Sequence, residues 1–163
     1  LMQYREIKLD DKIYKLFTND LANSRKVIYC TDNCGEIVLD KLLIKYLTLY
    51  YPQLEIQVIV RGEEIGNDAS IEDAENISMQ EVAAFEGNGT TIAGTSLHLL
   101  SDELKKKFYK ADMIISKGQG NYETLSGSGL NIYYLFLCKC NHLQKIFLAK
   151  FLDPIFSMEC ERR

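Results

Sequence analysis

Short apolar runs rich in β-branched and aromatic residues recur along the chain, separated by stretches whose apolar residues return every three or four positions. The runs at residues 27–31 (Val-Ile-Tyr-Cys-Thr), 55–60 (Glu-Ile-Gln-Val-Ile-Val), 112–116 (Asp-Met-Ile-Ile-Ser) and 131–138 (Asn-Ile-Tyr-Tyr-Leu-Phe-Leu-Cys) predict four buried strands. Between the first two, Ile37, Val38, Leu42, Leu43, Tyr46 and Leu47 recur at helical spacing, and Pro52 closes that helix near Tyr50-Tyr51. A strand, a helix and a second strand in this order imply a right-handed parallel crossover. Further helices are predicted over residues 11–21, packing on the sheet edge, and after the capping box Ser70-Ile71-Glu72-Asp73. A short one is expected at 78–85, a capped amphipathic one at 101–111, and a helix-like run after 141 that breaks at Pro154. The alternation predicts an α/β fold, a three-layer α/β/α arrangement on a mainly parallel Rossmann-like sheet of at least four strands. A single domain is expected: residues 1–25 as a leading helix, 26–140 as the core, and 141–163 as a C-terminal helix and tail.

Composition narrows the function classes. The 163 residues are 47% apolar and 26% charged, enough for one substantial core. A net charge of −4 argues against a nucleic-acid partner, which would need a basic stripe. No apolar run is long enough for a membrane span, and no signal-peptide pattern opens the chain. The odd cysteine count (Cys30, Cys34, Cys138, Cys140, Cys160) lacks disulfide or zinc spacing, so reduced thiols and a cytoplasmic location are expected. With only His98 and His142 present, a histidine-centred triad or transition-metal cluster is not expected.

The chemistry is concentrated where the predicted strands end. Asp32-Asn33-Cys34-Gly35-Glu36 follows the first strand, with Gly35 expected to permit a sharp turn. Arg61 with Asn67 and Asp68 follows the second, Lys117-Gly118-Gln119-Gly120-Asn121 the third, and Lys139 the fourth. Parallel strands place these ends on one rim, where ligands of open α/β sheets bind. The oxygen donors Asp32, Asn33 and Asp68 suit a hard divalent cation, and Lys117, Lys139 and Arg61 suit a phosphate. The Asp-Asn elbow alone fits a helix cap equally well. The Gly87-x-Gly89 stretch is a weak dinucleotide signal, because Ile92 stands where that fingerprint has glycine.

Five ordered motifs resemble the metal-dependent damage-control phosphatase family, also known as domain-of-unknown-function family 89. They are Asp32-Asn33-Cys34-Gly35-Glu36, Arg61-Gly62 with Asn67-Asp68, Gly94-Thr95-Ser96-Leu97, Lys117-Gly118-Gln119-Gly120-Asn121-Tyr122-Glu123, and Lys139-Cys140. The resemblance spans about residues 27–140. It implies an α/β hydrolase that uses a divalent metal (magnesium, manganese, cobalt or nickel) on small phosphomonoesters such as sugar or cofactor phosphates. By that likeness Asp32, Asn33 and Asp68 hold the metal, while Lys117, Gly118, Asn121 and Lys139 hold the phosphate; Arg61, by its charge, and Thr95, by the small donors of residues 94–97, are further phosphate-binding candidates. It also implies an N-terminal helical region and a glycine-rich closing strand after Cys140. Neither is evident, so a fragment or a shortened homologue is expected, with oligomerisation left open.

For catalysis, Asp32, Asn33, Glu36 and Lys117 are the candidates. A metal-activated water is favoured over direct attack by Asp32, because the carboxylate-nucleophile pattern needs a second Asp where Cys34 stands. Glu36 is a candidate base or orienting group. The alternative is a non-catalytic module that binds a phosphometabolite or nucleotide on the same rim. A methyltransferase reading ranks last, since no glycine-rich first loop with a ribose-binding acid follows the first strand.

Overall fold

The computed structural model describes residues 9–159. Cys160, and the ends of the expected leading and C-terminal segments (residues 1–8 and 160–163), lie outside them. The elements run α1 (Asp11–Asn23), β1 (Lys26–Cys30), α2 (Ile37–Tyr50), β2 (Glu55–Val60), α3 (Ile71–Asn76), a 3₁₀ turn (Met79–Glu81), β3 (Ala84–Gly87), α4 (Asp102–Lys110), β4 (Met113–Lys117), α5 (Gln119–Leu125), β5 (Ile132–Leu137), α6 (Asn141–Phe147) and β6 (Pro154–Met158). Six strands form one sheet in the order β3-β2-β1-β4-β5-β6, parallel except for β6. This is the doubly wound order that reverses direction between β1 and β4.

Side-chain alternation along the strands feeds two cores. Val27, Tyr29, Val58, Val60, Met113, Ile115 and Tyr133 face one side and pack with Leu21 of α1, Ile37, Ile44 and Leu47 of α2, and Ala74 of α3. Ile28, Cys30, Ile59, Ile114, Ile132, Tyr134 and Phe136 face the other and pack with Leu104 and Phe108 of α4, Leu125 of α5 and Leu143 of α6. The three-layer α/β/α arrangement is therefore present, and its six strands meet the expectation of at least four, adding β3 and β6 to those named.

Local chemistry explains where the helices start. The Asp10 carboxylate caps α1 by accepting from Lys12 N and Ile13 N, Ser70 and Asp73 form the reciprocal capping box of α3, and Ser101 caps α4. Phe17 of α1 stacks edge-on against Tyr133 and Phe156, which fixes this helix over the β5–β6 side of the sheet.

Three expectations are corrected. Residues 78–85 are not one helix: Ser78 takes a left-handed φ of 55°, and the Ala84–Gly87 segment pairs with β2 as a strand. Here the open edge of β2 outweighs weak local helical preference. The tail does close the sheet, because residues from Pro154 onward pair antiparallel with β5, Phe156 opposite Leu135. Glu159 anchors it there, accepting from Tyr134 Oη at 2.7 Å and Gly127 N at 2.6 Å. Finally, α2 buries Ile37, Asp40, Ile44 and Leu47, while Val38, Leu42 and Tyr46 face solvent with Leu39, Leu49 and Tyr50. So many apolar residues surround this helix that their spacing does not single out its core face. Among the described residues no helix is long and apolar enough to cross a membrane.

Candidate active site

The site forms at the β1–β4 switch point. Thr31 continues β1 by one residue, its N and Oγ1 both donating to Ile59 O at 3.0 Å, and the chain leaves the sheet at Asp32. Residues 32–34 then run beside 67–69: Ala69 N donates to Asp32 O at 2.7 Å, Cys34 N to Asn67 O at 2.9 Å, and Asn33 bridges antiparallel to Asp68. Two crossovers distant in sequence thus deliver Asp32 and Asp68 to one rim. The Asn33 Oδ1 accepts from Gly35 N at 2.8 Å, and its carbonyl accepts from Glu36 N and Ile37 N. The backbone and Asn33 together start α2, so Asp32 is not spent as a helix cap. Gly35 is not left-handed; a β-carbon there would lie 3.2 Å from Asn33 Oδ1, so tight packing on the amide explains the glycine.

Among the described residues the Asp32 carboxylate receives no hydrogen bond. Burial raises its pKa, Asp68 raises it further, and Arg61 and Lys139 pull it back down. A half-buried carboxylate beside a second one is the electrostatic situation that a cation relieves. The donor chemistry fits a hard divalent ion: two carboxylates and an amide oxygen, all from the rim. Among the described residues no three His, Cys, Asp or Glu side chains are placed to hold a metal ion, and Asn33 would have to be the third donor.

Gly118 shapes the opposite wall. Its φ is +82°, and a β-carbon would overlap the Asp32 carboxylate. Its N–H is taken by Leu135 O at 2.9 Å, so space rather than donation to a phosphate is what this glycine supplies.

Arg61, Thr95 and Asn121, expected to face a phosphate, lie in the layer beneath the rim. Arg61 is 1% exposed; its Nε donates to Asp68 Oδ2 at 2.6 Å, and its Nη1 to Thr95 Oγ1 at 3.1 Å and Asn121 Oδ1 at 3.3 Å. Asn121 Nδ2 in turn donates to Thr31 O at 2.8 Å and Lys117 O at 2.7 Å. This network ties the ends of β1, β2 and β4 together under Asp32 and Asp68.

Lys117, at the end of β4, points to the α2 side of the sheet. Its ammonium donates to Glu36 Oε1 and, at 2.9 Å, to Asp40 Oδ1, and Asp40 Oδ1 also accepts from Tyr29 Oη at 2.7 Å. Burial lowers the lysine's pKa, but Asp40 and Glu36 outweigh it and hold the ammonium charged above its usual range. Asp40 is the functional candidate that the sequence reading passed over. Its signal was an acid at the i+4 position from Glu36, on the face that carries Ile37, Ile44 and Leu47. Lys139 is exposed beyond β5, its N–H held by Gln119 Oε1 at 2.9 Å.

From Asp32, Glu36, Lys117, Gly118 and Lys139 a cleft of about 790 Å³ extends between α1, α2 and the β5–β6 pair. Its far walls are apolar, built by Leu39, Leu43, Leu137, Phe147 and Phe156 among others.

Fold and rim define an α/β protein of Rossmann topology with a carboxylate pocket, flanked by lysines, at its switch point. The chain belongs to the damage-control phosphatase ARMT1-like domain family, whose domain it matches over residues 2–150. It is 35% identical over 140 residues to a damage-control phosphatase of Pyrococcus horikoshii, covering 83% of this chain and 48% of that protein. To a damage-control phosphatase of Archaeoglobus fulgidus it is 40% identical over 120 residues, covering 72% and 41%. An uncharacterized protein of Methanocaldococcus jannaschii is 38% identical over 141 residues, with 83% and 45% covered. The crystal structure of a DUF89 family protein from P. horikoshii superposes with a TM-score of 0.85 at 29% identity, over 96% of this chain and 54% of that one. The chain therefore spans about half the length of the curated relatives it matches.

Proposed function

We propose that this chain carries the catalytic half of a metal-dependent phosphomonoesterase acting on phosphorylated metabolites. The observation that carries the reading is the pairing of residues 32–34 with 67–69, which sets a half-buried Asp32, whose carboxylate accepts no hydrogen bond among the described residues, beside Asp68. Family membership and the names of the two phosphatase relatives support it. Asp32, Asn33 and Asp68 would hold the divalent ion. When bound, such an ion polarises a phosphoryl oxygen and acidifies a water.

The remaining work falls to this chain's own groups. Lys117 and Lys139, on the wall facing Asp32, bind the phosphoryl oxygens and balance the charge that grows on them in the transition state. Glu36, half exposed and bonded to Lys117, can take a proton from an incoming water. Arg61 acts from beneath by fixing Asp68 rather than by touching the ester. The apolar walls of the cleft would receive the alcohol part of the ester, which favours a cofactor-type phosphate over a bare sugar phosphate.

A screen of purified protein against sugar and cofactor phosphates, with magnesium, manganese, cobalt and nickel in turn, tests the reading. Turnover that vanishes on chelation and in Asp32→Ala supports it. Ligand-induced thermal stabilisation without turnover under any metal would replace it with a binding module on the same rim.

A further inference from the structure

We infer that Asp40, backed by Tyr29, is the positioning residue that fixes the Lys117 ammonium at the rim of the site. This rests on the phosphatase reading for its chemical purpose, and on geometry for its substance. Asp40 is 2% exposed and lies on the core face of α2, where Ile37, Ile44 and Leu47 are its neighbours along the helix. A carboxylate there costs more than the aliphatic residue the face otherwise uses. Fold stability alone would not place an acid at this position.

The same Asp40 oxygen accepts from Tyr29 Oη at 2.7 Å and from Lys117 Nζ at 2.9 Å. Tyr29 is fully buried in β1, so the triad is anchored in the sheet and opens only at the lysine. Lys117 has three N–H bonds. One goes to Asp40 and one to Glu36; among the described residues the third has no partner and is left for a ligand oxygen. Its two carboxylate partners differ in kind: the Glu36 side chain is 41% exposed and can exchange with solvent or substrate, whereas that of Asp40 is 2% exposed and cannot. Asp40 therefore sets where the ammonium stands, and Glu36 is the partner that can let go.

The test is a double-mutant cycle over Asp40→Asn and Lys117→Met, read on kcat/KM for a phosphomonoester and on the Kd for inorganic phosphate. With Lys117 present, Asp40→Asn is expected to lower kcat/KM by about 10- to 100-fold, the usual cost of removing a group that orients a functional one. In the Lys117→Met background the same change should have almost no effect, because the group it positions is gone. Equal losses in both backgrounds, or no loss in either, would overturn the assignment, since a merely structural defect is additive. Tyr29→Phe, expected to cost several-fold with Lys117 present and almost nothing in the Lys117→Met background, carries the same test if Asp40→Asn does not fold. If the native protein turns over no ester, the phosphatase reading fails. The phosphate Kd then decides the positioning role through the same cycle.

Discussion

The carboxylate of Asp32 lies against the α-carbon of Gly118, so close that any β-carbon at residue 118 would occupy its place. The same glycine has a φ of +82°, which L residues rarely adopt. Gly118→Ala therefore combines backbone strain of about 1–3 kcal/mol with eviction of the Asp32 side chain. We expect a lower urea midpoint together with complete loss of metal-dependent turnover. A variant that kept native activity would show that Asp32 does not need this wall.

Asp32 also gives the protein a testable pH signature. Its folded pKa is raised, chiefly by burial and then by Asp68, above the ordinary value of 3.8. The folded state then holds this proton more tightly than the unfolded chain does. Its contribution is most favourable below pH 3.8 and is lost as pH rises through the elevated folded value. Asp32→Asn should consequently melt higher than the native protein at pH 7 when metal is chelated, with the gain disappearing at pH 3. Adding manganese or magnesium should reverse the order. An ion at a hundred times its Kd stabilises by about 2.7 kcal/mol, and the variant lacks a ligand for it. Thermal melts at the two pH values, with and without metal, read both effects.

Much of this architecture was legible from sequence because parallel strands buried on both faces read as unbroken apolar runs, as β1, β2, β4 and β5 do. β3 and β6 were missed for the opposite reason. The four residues of β3 are only partly buried or exposed, and β6 is an edge strand opened by a proline, so neither has a hydrophobic signature of its own. That residues 32–34 and 67–69 would meet on one rim could be expected because strand ends are where chain order and spatial order agree. The layer beneath was not. That Arg61 turns inward to Thr95 and Asn121 depends on the β2 and β4 ends meeting, which no local pattern records. Asp40 was hidden by a helix apolar on nearly every side.

The Arg61 network should behave as a unit. Thr95→Val removes one hydrogen bond to a buried guanidinium and is expected to cost about 1–3 kcal/mol. Arg61→Ala leaves Asp68 and Asn121 without their partner and should cost about 3–5 kcal/mol. In the Arg61→Ala background, Thr95→Val should cost almost nothing more. Urea denaturation of the four proteins measures the coupling, and additive losses would mean that Thr95 does not act through the arginine.

The apolar cleft makes a prediction about substrates. Its polar end, with Lys117 and Lys139, matches a phosphoryl group, but the walls beyond offer mainly aliphatic and aromatic carbon. Each methylene of an ester buried there is worth up to about 0.8 kcal/mol, or about fourfold in affinity. Across a series from ethyl to hexyl phosphate, kcat/KM should therefore climb steadily, and glucose 6-phosphate should be turned over less well than hexyl phosphate. Replacing Leu39 and Leu137, which are 64% and 45% exposed, by asparagine should flatten that climb without changing the thermal midpoint, because neither residue contributes to a core. A flat series in the native protein would mean that the ester group leaves the rim by another path and that these walls serve a different contact.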